Sequence, residues 1–408
     1  MPAHFGAQRP AGLGYWPLPE DHPNVAVQRE DIRIVTHDRA LVRGVLWTPP
    51  TGTRVKRTAV VLSHPRGDFS VHYACPLLAA QGYATLGFGT RYMNNDIDCL
   101  HDACTVDVEA VVNYLKDERG FDAVVLLGNS GGGSLMALTH VLKRVGDGWV
   151  GVAAHPGEGV FMGKVIDPSV ADENDPAATI PQLDMYNPDN GWRPWPHPCT
   201  YDRAWLADYR AAQLARIQRI DAIAKHGLDQ SVAAGNLLQD RNLGSAKYVD
   251  PTNQADMHAY RRLRSESVAM RYLTIYRTLA DPAYLDLSID PDDRPMGSLF
   301  AFPDPFDANF GRGGLARTMT ARGWLSTWSA LSSHARLADT MPQVTVPTLI
   351  IHPTADTEIR LHEALEIRDA SGADDLTYIE MKGALHYLEG DRPEAINHVV
   401  AWLDARFP

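Results

Sequence analysis

Strand-like runs recur along this chain, six before residue 155 and two after 344, with helix-like segments between most of them. Residues 31–35 and 41–47 flank His37-Asp38-Arg39, which predicts a hairpin. The runs TAVVLS (58–63), AVVLL (123–127) and VGVAA (150–154) are continuously apolar, as in strands covered on both faces. A further strand is predicted over 83–88 and a helix over 72–81. Between 102 and 116, Val108, Val111, Val112 and Leu115 fall at helical spacing, with Asp107, Glu109 and Asn113 between them. After Gly159 this rhythm stops. Residues 161–201 are rich in Pro, Asp, Asn and Trp; 203–225, 256–279 and 315–337 read as helices, and 281–314 as loop. The rhythm returns with TVPTLII (345–351), a strand at 376–379 and a closing helix at 393–402 with Asp391 at its N-cap position. The pattern predicts an α/β fold: a mostly parallel sheet with helices on both faces, formed by 1–160 and 341–408 and interrupted by a largely helical insertion, 161–340.

Composition narrows the possible partners. With 408 residues, 45% of them hydrophobic, the chain can bury a sizeable core. A net charge of −12 with no basic run argues against nucleic acid or an anionic membrane as partner. Residues 1–18 lack the charged start and apolar run of a secretory signal, and no stretch approaches the ~20 apolar residues of a spanning helix. Cys75, Cys99, Cys104 and Cys199 show no CxxC spacing, so reduced thiols and a cytoplasmic setting are expected. His197 and Cys199 lie close together, but no further ligands at zinc spacing accompany them; neither metal nor cofactor is expected.

The chemistry concentrates at Gly128-Asn129-Ser130-Gly131-Gly132, directly between an apolar strand and a helix-forming stretch. This is G-x-S-x-G in the context that motif needs. A strand reversing at once into a helix strains its central residue and leaves no room for side chains at Gly128 and Gly132. Ser130 would then present its hydroxyl at a helix N-terminus, where developing negative charge is favoured. Phosphate binding is the rival reading, but neither G-x-G-x-x-G nor a Walker lysine is present.

A serine nucleophile needs a histidine base and an acid to orient it. His386, in the loop after the last strand, is the expected base; His398 lies inside the final helix, and His352 ends a strand. Asp356, in the turn after 345–351, is the expected acid, with Glu358 as fallback and helix capping as the bland alternative. Oxyanion donors are expected at the Gly131 N–H and, in His64-Pro65-Arg66-Gly67-Asp68, at Arg66 or next Gly67, because Pro65 has no N–H. The Arg66 side chain has two further readings: holding a substrate carboxylate, or pairing with Asp68. Arg91, Tyr92 and His155 follow other strands and are weaker candidates for substrate contact.

The segments SHPRGD, GNSGGG, PTLIIHPTAD and GALHY, in this order, resemble the α/β-hydrolase superfamily over about 27–160 and 341–408. The resemblance implies a Ser130-Asp356-His386 triad, an oxyanion hole at Gly131 and Arg66, and a lid where the insertion falls. HPRG stands where many members have HG. Members using Asp at the nucleophile position, such as haloalkane dehalogenases and epoxide hydrolases, are excluded by Ser130. The expected activity is hydrolysis of an ester, lactone or related acyl bond in a small, hydrophobic or aromatic substrate. Acyl transfer, carbon–carbon bond hydrolysis of a diketone-like metabolite, and a catalytically silent binding protein are the alternatives. The insertion's aromatics, Phe300 and Phe302 among them, form its core, line a pocket or make a homo-oligomer contact.

Overall fold

The structure is a computed structural model that describes residues 14–17, 21–246, 249–299, 304–311 and 314–407. Phe300, Phe302 and most of the stretch 1–18 lie outside the described residues. Eight strands form one sheet: β1 (Gln28–Val35), β2 (Leu41–Thr48), β3 (Thr58–His64), β4 (Ala84–Gly89), β5 (Ala123–Ser130), β6 (Gly148–Ala154), β9 (Thr348–Pro353) and β10 (Leu376–Met381). Their order is β1-β2-β4-β3-β5-β6-β9-β10. β1, β2 and β4 pair antiparallel, and every pair from β4 to β10 is parallel. Each strand-like run of the sequence is a strand of this sheet.

The continuous apolar runs are explained by alternation across it. Ala59 and Val61 of β3, Val124 and Leu126 of β5 and Ile350 of β9 face one core. Val60, Leu62, Val125, Leu127, Leu349 and Ile351 face the other. Helices α2 (His101–Asn113), α3 (Gly131–Lys143) and α9 (Leu337–Thr340) cover the first face. Helices α1 (Ala74–Ala80) and α11 (Arg392–Arg406) cover the second. α10 (Leu361–Asp369) follows β9 and adds Ile367 to the first core. A strand buried on both faces has no polar side to show, so periodicity two vanishes from its sequence.

The segment between β6 and β9 adds no strand to this sheet among the described residues. It holds α4 (Glu158–Val165), α5 (Arg203–Asp240), α6 (Gln254–Val268), β7 (Tyr272–Thr274), α7 (Pro305–Phe310), β8 (Thr318–Thr320) and the single turn α8 (Ala321–Gly323). A third apolar cluster, including Met162, Tyr209, Ile217, Ile220, Trp324 and Trp328, is its own core. Asp202 caps α5 by accepting from the N–H groups of Ala204 and Trp205, at 2.8 and 3.2 Å.

Here the structure corrects the reading. The helix expected over 203–225 runs on to Asp240. The helix expected over 256–279 ends at Val268, and the following residues pair as β7 with β8. The helix expected over 315–337 shortens to a helical stretch over 321–328, preceded by β8 and followed by loop. Pairing of Tyr272 with Thr320 joins residues distant in sequence, so tertiary contact overrides local preference. α4 lies where the sequence rhythm was read as breaking, after Gly159. Gly159 is there because a Cβ would lie 2.4 Å from the Ser329 carbonyl.

Candidate active site

Ser130 ends β5 and opens α3 at φ 54° and ψ −130°, a backbone conformation that residues other than glycine rarely adopt. The surrounding glycines permit it. A Cβ on Gly128 would lie 2.4 Å from the Gly133 nitrogen, and one on Gly132 2.3 Å from the Ser63 carbonyl of β3. Asn129 locks the corner from behind, its Nδ2 donating to the Val152 carbonyl at 2.8 Å and its Oδ1 lying 3.1 Å from His72 Nε2.

His386 follows β10 and is buried. Its Nδ1 lies 2.7 Å from Asp356 Oδ2. The other Asp356 oxygen accepts from the backbone N–H of Glu358 at 2.8 Å and of Ile359 at 3.0 Å. Burial works against a charged Asp356, but His386 and these amides outweigh it and hold its pKa below the usual carboxylate value. Burial likewise opposes a charged His386, yet the Asp356 carboxylate raises its pKa above the ordinary imidazole value. Asp356 is thus bonded to an imidazole, and the cap position of α10 is taken by Arg360. Glu358, the fallback acid, points elsewhere: its carboxylate accepts from Tyr284 Oη at 2.7 Å, Ser298 Oγ at 2.9 Å and the Leu299 N–H at 2.5 Å.

Ser130 and His386 line one cavity of about 190 Å³, together with Tyr15, His64, Arg66, Gly67, His155, Glu158, Phe161, Leu315, Glu358 and Tyr387. The volume is below the ~300–1,000 Å³ of pockets for drug-sized ligands, so it suits a small group. Arg91 and Tyr92 do not join it. Arg91 is clamped by Asp38 and Asp107, at 2.6 and 2.7 Å, and Tyr92 packs on the core beneath α2. His155 does line it, its ring 4.7 Å from Phe161. Burial, with nearby Lys164, keeps His155 neutral by pushing its pKa well down.

The loop after β3 was the expected source of a second oxyanion donor. The backbone N–H groups of Arg66 and Gly67 both donate to His64 Nδ1, each at 3.1 Å. An Nδ1 that accepts twice carries no proton, so the neutral ring carries it on Nε2. Burial, then the Arg66 charge, holds the His64 pKa well below that of a free imidazole. A Cβ built on Gly131 would lie 2.7 Å from His64 Nε2 and 2.7 Å from Glu158 Oε1, so both side chains crowd the residue after Ser130. The sequence reading gave neither a role. The available signal for Glu158 was a carboxylate directly after His155-Pro156-Gly157, where a loop was expected to ring the site; for His64 it was the position at the mouth of β3. Among the described residues, no cluster of His, Cys, Asp and Glu could hold a metal ion, and no helix is long and apolar enough to cross a membrane. All four cysteines are free and buried.

No protein-family model matches the sequence, and no curated protein does. Solved structures do. A hypothetical protein from Pseudomonas aeruginosa is similar with a TM-score of 0.50 at 15% identity, over 94% of this chain and 96% of its own. The α/β hydrolase GrgF from Penicillium sp. sh18 is similar with a TM-score of 0.50 at 13% identity, over 93% of this chain and 99% of its own. This chain has the α/β-hydrolase fold. Within that fold, the Ser130 corner sits at the C-terminal ends of the parallel strands, where β3, β6, β9 and β10 also deliver His64, His155, Asp356 and His386. An open α/β sheet gathers its ligand-contacting loops at this edge.

Proposed function

We propose that the protein is a serine hydrolase that cleaves a carboxylic ester, lactone or related acyl bond of a small substrate through an acyl-enzyme. One observation carries the reading: Ser130, held at a strained corner, shares a cavity with an imidazole whose far nitrogen is bonded to a buried carboxylate. With Nδ1 held by Asp356, His386 has Nε2 to take the Ser130 proton and return it to the leaving group. The oxyanion then forms at the N-terminus of α3. The Gly131 N–H stabilises it, and the His64 Nε2–H is the second donor in place of the occupied Arg66 and Gly67 amides. Water next enters and His386 activates it against the acyl-enzyme. Segment 161–340 acts as a lid, a role supported by Phe161 and Leu315, which come from it and line the cavity.

The test is a panel of p-nitrophenyl esters of increasing acyl length, with lactones and amides alongside. Hydrolysis that disappears in Ser130→Ala, together with Ser130-dependent labelling by a fluorophosphonate, is the expected result. Undiminished turnover in Ser130→Ala would sink the proposal. Faster transfer to an added alcohol than to water would make the protein an acyltransferase.

A further inference from the structure

We propose that Arg66 anchors an anionic subsite, so that the acyl substrate carries a carboxylate near the bond that is cleaved. This rests on the hydrolase reading and specifies its substrate. The guanidinium lines the cavity that holds Ser130 and His386. It lies 4.7 Å from the ring of the buried Trp328, which fixes its plane. The Arg66 carbonyl accepts from the Asn94 N–H at 3.1 Å, so the backbone is fixed as well.

The polar contacts of this guanidinium are long. Nε and Nη2 each lie 3.4 Å from Glu158 Oε1, and Nη1 lies 3.5 Å from Asp96 Oδ2. Some arginines elsewhere in the chain close on their partners, whereas Arg277 and Arg360 stay 3.5 Å from Asp167 and Asp281. Arg216 meets Glu173 at 2.9 and 2.7 Å, and Arg91 meets Asp38 at 2.6 and 3.0 Å. Charge-assisted pairs normally sit at about 2.7–2.9 Å. Arg66 is thus oriented by Glu158 and Asp96 without being saturated, and its planar fork has donors left for a carboxylate.

The surroundings suit such a ligand. His64, His101 and His155 are kept neutral, chiefly by burial and in part by the Arg66 charge, so an entering anion meets a cation among uncharged imidazoles. Glu158 would oppose it as a carboxylate. Burial pushes its pKa up while Arg66 pulls it down, and the balance lies above the ordinary value.

The experiment compares p-nitrophenyl half-esters of glutarate and adipate with the neutral valerate and hexanoate esters of equal chain length, after subtraction of the enzyme-free rate. The wild type is expected to favour the half-esters at least tenfold in kcat/KM, which corresponds to about 1.4 kcal/mol. Arg66→Gln should abolish the preference and Arg66→Lys should retain part of it. Asp96→Asn, at a partly exposed site, should raise it by freeing Nη1. Adipate should also bind the Ser130→Ala protein in calorimetry, which needs no turnover. Neutral esters hydrolysed without preference for the half-esters would overturn the subsite while leaving the hydrolase reading intact. Loss of all Ser130-dependent turnover would instead overturn the hydrolase reading, and adipate binding would then decide the subsite alone. A preference that survives in folded Arg66→Gln, or no gain in Asp96→Asn, also overturns it.

Discussion

At Ser130 a destabilised backbone is the means of presenting a hydroxyl. A serine at φ 54° and ψ −130° costs about 1–3 kcal/mol relative to an allowed conformation. Glycine adopts it freely, although its unfolded chain has about 0.5–1 kcal/mol more entropy to lose. Ser130→Gly should therefore be inactive and about 1 kcal/mol more stable in urea unfolding; a less stable variant would show that the corner is unstrained. The proposed base has its own signature. As a base His386 would act only when neutral, and its pKa lies above the ordinary value because Asp356 stabilises the charged ring. The acid limb of kcat/KM should accordingly fall at a higher pH than for a free imidazole. Asp356→Asn should move that limb down and lower kcat by about 10³–10⁴-fold, as loss of the orienting acid does in serine hydrolases. An unmoved limb would mean that another group titrates.

At the scale of elements, the acid turn between β9 and α10 is held from the insertion side. Tyr284 and Ser298 donate to the Glu358 carboxylate, whose own N–H donates to Asp356. Lys164 on α4 donates to the Glu358 carbonyl at 2.6 Å and to Glu363 at 2.7 Å. Tyr284→Phe leaves a buried carboxylate oxygen short of a donor, so stability should fall by about 1–3 kcal/mol. If the turn positions Asp356, kcat should fall as well while KM changes little. A variant that loses stability at unchanged kcat would limit Glu358 to a structural role. The same elements show what was legible beforehand. Strands β3, β5 and β9 announce themselves because burial on both faces demands unbroken Val, Leu and Ile. The glycines around Ser130 were legible because close contact leaves them no substitute. His64 and Glu158 were not, since a single polar residue at a strand end looks alike whether it faces solvent or a cavity. β7 and β8 were missed because three-residue strands exist only through each other, and no local period records a partner more than forty residues away.

Across the whole molecule, two apolar cores sandwich the sheet and a third belongs to the insertion. Polar clasps help join this third core to the rest, and a buried one is centred on Asp281. Its carboxylate meets Arg210 at 2.5 Å and Arg360, four residues after Asp356, at 3.5 Å. Burial alone would raise its pKa, but the two guanidinium groups outweigh burial and hold it well below the usual carboxylate value. The sign follows from linkage. A carboxylate with a depressed folded-state pKa contributes stability that is fully present above the unfolded value of about 3.9 and is lost as pH falls through the folded value. Asp281→Asn removes the anion while Arg360 stays buried, so the variant should be less stable than the wild type by about 3–5 kcal/mol at pH 7. That gap should narrow as unfolding is followed from pH 4 downward, because the wild type then loses the same charge. A gap that stays constant through the acid range would mean that shape and hydrogen bonding at residue 281, rather than its charge, fasten the insertion over the Asp356 turn.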